Sequence, residues 1–424
     1  MPRIAVPQGI TTKVFILDDD ALPQIPELLR ELWPGKTPWI IADGNTWRAA
    51  GEKVQRIVSA AGIPAREPHI LPAVPKPHPD HAVSCKLAET MTQDIVPLAV
   101  GSGVVNDLVK TAAGIKGITY CCIPTAPSVD GYTSGGAAMS VNGFKMTVPC
   151  PAPAAVVADK SVLLSAPAEM AAAGYGDLAA KIVAGADWLI ADALGQDPVK
   201  PEIWDIVQKD LRAWLADHRD RMAVFMGLAA TGYAMQRCLD SRPASGAEHL
   251  CSHIWEMEGL TRGGEEVSHG FKVAVGSVAS LRLMQFFLRT SPEEARRLAA
   301  PLLTAEERKK EVAALLERGC YGDDPGRIAL EKFQAGEAGV SRREAIWAAW
   351  DSIREKVERH LGDQEGFVRG LRSAGCPTAP EEIGLGKAQF IHGIFAAQLI
   401  RKRYTVLDLL YDAGLLKAAV AKVF

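Results

Sequence analysis

No two of the eight cysteines, at positions 85, 121, 122, 150, 238, 251, 320 and 376, stand at C-x-x-C spacing. That removes the usual thiol signatures of a structural zinc site or a dithiol redox motif. A chain of 424 residues can build its core without disulfides, so the cysteines read as reduced, mostly buried thiols. A Lys/Arg block is missing as well. With 47 basic against 50 acidic residues the net charge is −3, which argues against a nucleic-acid partner. The opening "MPRIAVPQGITTKVFILDDD" lacks the charged start, apolar run and small-residue cleavage site of a signal peptide. No apolar run reaches about 18 residues free of charge. "MAVFMGLAATGYAMQ" comes nearest and reads as a buried helix. These absences lead us to expect a cytoplasmic protein with no membrane span.

The composition that remains, 48% hydrophobic and 23% charged, has room for two cored domains. Residues 1–165 read as an α/β domain. "PWIIADGNTW", "DIVPLAVGSG" and "KGITYCCIPTAPS" are apolar strands ending in turn residues. Helical stretches lie between them, at "TWRAAGEKVQRIVSAAG" and near 84 to 94. "REPHILPAVPKPHPDH" reads as a connection. Strands alternating with helices predict a Rossmann-like parallel sheet. From 166 to 424 the chain turns Ala-rich with apolar residues at helical spacing, and convincing strands are absent. An all-helical second domain is expected, with the boundary near "ADKSVLLSAPAE".

Four stretches carry chemistry. "LAVGSGVVNDLVKTAAG" is a strand, a glycine turn and a helix, where free N–H groups and the positive dipole end suit a phosphate or pyrophosphate. "IPTAPSVDGYTSGGAAMS" packs Thr125, Ser128, Asp130, Thr133 and Ser134 into a loop after the third of these strands, where open α/β sheets bind ligands. "AGYGDLAAK" holds Asp177, which by itself reads as a helix N-cap. Three of the nine histidines fall between 249 and 269. His249 and His253 stand four apart on a helical stretch and share a face, and His269 opens another buried helix. Two imidazoles and a carboxylate make a common three-ligand set for a catalytic metal with one position open. Spacing alone does not bring Asp177 to them.

In this order, "PTAPS-x-DGYxS", "GYGD", "EHLCSH" and "HG" resemble the sn-glycerol-1-phosphate dehydrogenases, especially their bacterial form. These belong to the superfamily of iron-containing alcohol dehydrogenases, glycerol dehydrogenases and dehydroquinate synthases. The similarity runs from "PWIIADGNT" to "RKRYTVLDLL" and implies a dehydroquinate synthase-like fold. It implies cofactor contacts at Gly103, Val104, Val105, Asn106 and Asp107 around the pyrophosphate. Further contacts at Thr125, Ala126, Pro127, Ser128 and Ser134 are implied near the nicotinamide. Asp130 matches a substrate contact. Asp177, His249 and His269 match the metal ligands, Asp177 also lying close to substrate, and His253 matches a substrate-contacting histidine. The turn departs from the family at Ser102 and Asn106, and Val129 looks bacterial rather than archaeal.

The resemblance thus implies a metal-dependent, reversible reduction of dihydroxyacetone phosphate to sn-glycerol 1-phosphate with NAD(P)H. Zinc suits the ligand set, and nickel or iron would accept it too. Asp43, closing "PWIIADG", could accept hydrogen bonds from the adenosine ribose and would repel a 2′-phosphate, which favours NAD(H) over NADP(H). Lys145 and Lys181 are candidates for the substrate phosphate, though a lysine is by default a surface residue. His392 and "RKRY" read as structural. A homodimer is what the relatives suggest. The competing readings are a polyol dehydrogenase acting on an unphosphorylated substrate, an NAD-using cyclase or lyase of the dehydroquinate synthase type, and a non-enzymatic helical interaction protein.

Overall fold

The computed structural model describes residues 3–318, 320, 321 and 324–424. Six strands form one parallel sheet: β1 (Val14–Asp18), β2 (Thr37–Asp43), β3 (Arg66–Leu71), β4 (Ile95–Gly101), β5 (Cys121–Pro124) and β8 (Ala155–Asp159). Their order across the sheet is β1-β8-β5-β4-β2-β3. A separate two-stranded ribbon pairs β6 (Ala137–Val141) with β7 (Phe144–Val148).

The parallel arrangement explains the apolar strands. Side chains alternate across a strand, and a parallel sheet is covered on both faces. Phe15, Trp39, Ile41, Ala99, Cys122 and Val156 point into one core, closed by Val105, Leu108 and Phe225. Their neighbours Val14, Ile16, Ile40, Leu98, Cys121 and Val157 point into the other, closed by Leu22, Ile25, Leu28 and Val54. The three expected strands are β2, β4 and β5.

Three strands of this six-stranded sheet are additions to the sequence reading. β1 and β8 are five residues each and pair with one another, Val14 opposite Ala155. β3 occupies the first six residues of the expected connection "REPHIL". It is an edge strand with a mostly exposed surface, so it lacks the apolar signature of its neighbours. The helix expected near 84 to 94 runs instead over His81–Glu89, because the Asp80 side chain accepts from the Ala82 amide and starts it earlier.

Two compact units divide the chain. One holds residues up to Val141, Lys145–Gly174 and Ala213–Asp240, and the other holds Asn142–Phe144, Tyr175–Arg212 and Ser241–Phe424. Among the described residues, the second unit's extended pairing beyond Phe144 is a ribbon of two-residue strands at Thr261–Arg262 and Glu265–Glu266. The rest of its regular structure is helical. Among the described residues one helix, His269–Arg289, is long and apolar enough to cross a membrane, and 83% of its apolar stretch is buried inside the protein. All eight cysteines are free thiols.

Candidate functional site

Asp177 is not an N-cap. It is the tenth residue of a 26-residue helix, Ala168–Ala193, and its side chain is completely buried. The glycine before it explains how that helix comes so close to the helix His269–Arg289. A Cβ on Gly176 would lie 2.7 Å from the Gly270 carbonyl oxygen, so any larger residue would force the two helices apart. Gly276 does the same for the next pair. Its Cβ would lie 2.5 Å from the Glu248 carbonyl oxygen, on the helix Ala247–Met257.

Three helices therefore meet where the sequence placed its candidate ligands. Asp177, His249 and His269 each offer one ligand atom, and these atoms all lie within 4.8 Å of one another. His249 Nε2 stands 3.4 Å from Asp177 Oδ1. The rings of His249 and His269 are 5.3 Å apart, and His253 completes the cluster at 6.4 Å and 6.1 Å from them. His253 Nδ1 is buried without a hydrogen-bond partner in the protein. That leaves a polar atom for a ligand to satisfy.

The electrostatics suit a cation. Burial pushes the Asp177 carboxyl up, but Lys181 and a hydrogen bond from His249 outweigh it and hold it well below the usual carboxylate range. Burial lowers His269 to about 3 and takes His253 well below its ordinary value, so both imidazoles are neutral at neutral pH. His249 is pushed down by burial and by Lys181, yet its hydrogen bonds to Asp177 and Glu248 leave it raised. A metal on Nε2 would take that proton's place, since ligating imidazoles bind as the neutral form.

Lys181 departs from the expected surface lysine. It follows Asp177 by one helical turn, is completely buried, and puts Nζ 2.7 Å from Asp177 Oδ1. Lys145 is buried too, close enough to Asp107 to favour its ionised form. Two carboxylates behind His249 were not singled out from sequence. Glu248 Oε1 takes a 2.7 Å contact from His249 Nδ1. Asp187 accepts from the Ala247 and Val406 amides, both at 2.7 Å. Burial, then the neighbouring Glu248, raises Asp187 to about 7.

The α/β unit positions the other candidates. β4 ends at Gly101, Ser102 is extended, and the helix Gly103–Lys116 begins without a side-chain cap. Its first amides, at Gly103, Val104 and Val105, are thus left for an external acceptor. A Cβ on Gly103 would come within 2.8 Å of Val129 Cγ2 in the loop after β5. That loop is tightly tied. The Thr125 amide donates to the Gly101 carbonyl, and Ser128 Oγ meets Tyr132 OH at 3.0 Å. Ala126 is buried, and Gly174 packs directly against the Pro127 carbonyl. Asp130 opens the short turn Asp130–Tyr132 that follows.

The side chains of two residues expected to contact the cofactor, Asn106 and Ser134, have hydrogen bonds within the protein. The Asn106 side chain donates to the Gly131 carbonyl and accepts from Tyr120 OH. Ser134 Oγ donates to the carbonyls of Gly131 and Gly136. Lys110, which sequence reasoning passed over, is the hub of this arrangement. Fully buried, its Nζ reaches the Gly131 carbonyl (2.6 Å), Ser134 Oγ (3.0 Å) and the Gly136 carbonyl (3.0 Å), with Asp107 at 3.3 Å. Its three-residue offset from Asp107 on one helix was the available signal. Asp43 ends β2 and caps the following turn, its Oδ1 accepting from the Asn45 and Thr46 amides.

Residues 16–167 match the iron-containing alcohol dehydrogenase family. A curated relative from Bacillus subtilis (strain 168), a glycerol-1-phosphate dehydrogenase (NAD(P)+), is 32% identical over 385 residues, covering 88% of this chain and 84% of its own. Its namesake from Bacillus licheniformis is 32% identical over 429 residues, covering 97% and 92%. Among solved structures, the NADH-dependent butanol dehydrogenase A of Thermotoga maritima superposes with a TM-score of 0.58 at 15% identity, covering 98% of each chain. A probable glycerol dehydrogenase from Sinorhizobium meliloti 1021 gives 0.56 at 16% identity, covering 99% of this chain and 100% of its own. Those two likenesses establish the fold, and the Bacillus relatives establish more: this chain belongs to the glycerol-1-phosphate dehydrogenase family, within the iron-containing alcohol dehydrogenases.

Proposed function

We propose that this protein reversibly reduces dihydroxyacetone phosphate to sn-glycerol 1-phosphate, using NAD(H) in preference to NADP(H) and one divalent metal, zinc by default. The observation that carries the proposal is the convergence of Asp177, His249 and His269 on three helices, their ligand atoms within 4.8 Å of one another. One ionised carboxylate and two imidazoles on rigid elements fit such an ion, and nickel or iron would be accepted by the same donors. When bound, the metal would polarise the C2 oxygen, while the nicotinamide supplies or receives the hydride.

The chain's own groups do the rest. Asp177 stays ionised beside Lys181 and keeps the ligand set anionic. His253, neutral and with Nδ1 unpaired, hydrogen-bonds the substrate and passes a proton between its oxygen and solvent. Asp130 is a further substrate contact. The amides opening the helix Gly103–Lys116 hold the pyrophosphate, and the loop Thr125 to Ser128 lines the nicotinamide half. Asn106, Lys110 and Ser134 shape that loop from inside. Asp43 reads the ribose hydroxyls, its Oδ1 held by two amides. In this reading residues 1–165 bind the dinucleotide and 166–424 bind metal and substrate. Free thiols accord with a reducing, cytoplasmic setting. The homodimer is carried over from the family resemblance, and light scattering would test it.

A substrate panel followed by NADH absorbance, with and without a chelator, decides the matter. Dihydroxyacetone phosphate should be reduced, dihydroxyacetone and glyceraldehyde 3-phosphate should lag far behind, NADPH should serve less well, and chelation should stop turnover. Chelator-resistant activity, or equal activity on unphosphorylated dihydroxyacetone, would overturn the proposal.

A further inference from the structure

Glu248 stands next to a metal-ligand candidate, and its surroundings are unusual for a buried carboxylate. Its side chain is fully buried, and no lysine or arginine pairs with it among the described residues. Oε1 accepts the Gly246 amide at 2.6 Å and meets His249 Nδ1 at 2.7 Å, while Oε2 is buried with no partner. Burying an anion without a cation is costly, and its hydrogen-bond donors are one amide and one imidazole. Its backbone is held in place, because the helix carrying Gly276 packs directly on the Glu248 carbonyl.

Building on the metal-centre reading above, we infer that Glu248 is a positioning residue that selects the tautomer and ring orientation of His249. A carboxylate can only accept, so the short contact places the retained imidazole proton on Nδ1. Nε2, on the side facing Asp177, then offers its lone pair. Without Glu248 the competing acceptor is Asp177 Oδ1, 3.4 Å from Nε2. A proton drawn to Nε2 would occupy the position a cation needs. Glu248 is thus the counterweight to the ligand carboxylate, and a partner on the far nitrogen of a ligating histidine typically sets affinity by 10- to 100-fold.

The test compares metal-stripped wild type, Glu248→Gln and Glu248→Leu by zinc competition against a chromophoric chelator. Thermal melting is read alongside, and nitrogen-15 histidine spectra are recorded on the metal-free proteins at alkaline pH, where each neutral imidazole carries a single N–H proton. The near-isosteric Glu248→Gln should keep its fold and bind zinc about 10-fold more weakly, and Glu248→Leu about 100-fold. The hydrogen-bonded Nδ1 proton of His249 should be present in wild type and lost in Glu248→Leu. Should Glu248→Leu fail to fold, Glu248→Gln still decides. Wild-type affinity in Glu248→Gln, or an Nδ1 proton that persists in Glu248→Leu, overturns the role of Glu248 alone. A wild type that takes up no zinc overturns the metal centre, and this role with it.

Discussion

Replacing Asp177 by asparagine removes one charge from a pair that is shielded from water on every side. Lys181 Nζ lies 2.7 Å from Asp177 Oδ1, and both side chains are fully buried. At an effective dielectric of about 20 the attraction at that distance is roughly 6 kcal/mol. Part of it would be recovered if Lys181 gave up its proton in the variant. The measured range for breaking a buried pair, about 3–5 kcal/mol, is therefore the expected destabilisation. Asp177→Asn should also lose zinc, because a neutral amide is a poor ligand. The double variant Asp177→Asn with Lys181→Met separates the two effects: removing the stranded ammonium should restore most of the stability and none of the metal binding. Lys181→Met alone should keep zinc, since Asp177 remains ionised beside His249. Urea denaturation and zinc stoichiometry on the four proteins read both quantities. Full zinc occupancy in Asp177→Asn would refute the ligand assignment. A stability loss below about 1 kcal/mol, the size of an ordinary substitution, would refute the buried ion pair.

Gly176→Ala should cost about 1–3 kcal/mol by pushing the Asp177 helix off the Gly270 carbonyl, and zinc affinity should fall with it. Thermal melting with a zinc titration checks this, and unchanged affinity would count against the close approach. Asp187 keeps its proton in the folded protein up to about pH 7, whereas the unfolded chain releases it near pH 4. Its contribution to stability is therefore fully present below about pH 4 and is lost as pH rises to 7. Asp187→Asn should be about 1–3 kcal/mol less stable at low pH, where one of two amides loses its acceptor, and the gap should narrow on raising pH. Parallel denaturation midpoints from pH 4 to 7 would contradict the assignment. Lys110→Met should cost about 3–5 kcal/mol and weaken NADH binding, measured by fluorescence titration, because the loop from Thr125 to Ser134 loses its central donor. Unaltered NADH affinity would mean the loop does not shape the coenzyme site.

The strands β2, β4 and β5 were readable because each is an apolar run closed by turn residues, the mark of a strand covered on both faces. β3 was not, since an edge strand with a wet surface looks like any polar connection. The pairing of His249 with His253 follows from helical spacing alone. Lys181 was misjudged as a surface residue, because one-dimensional spacing cannot say that an Ala-rich helix is buried on every side at that turn.

What the sequence determined by itself is local: strand, glycine turn and helix at 94 to 114, two imidazoles on one helical face, and a motif order specific enough to name a family. Seventy-two residues separate Asp177 from His249, and no periodicity spans that distance. Their meeting, the burial of Lys181 and the placing of Glu248 behind an imidazole were decided only in three dimensions. Hydrophobic pattern sets which face of a helix turns inward. Which distant helices then touch, and how closely, depends on side-chain volume at the crossing, and here that volume is the missing Cβ of Gly176 and Gly276.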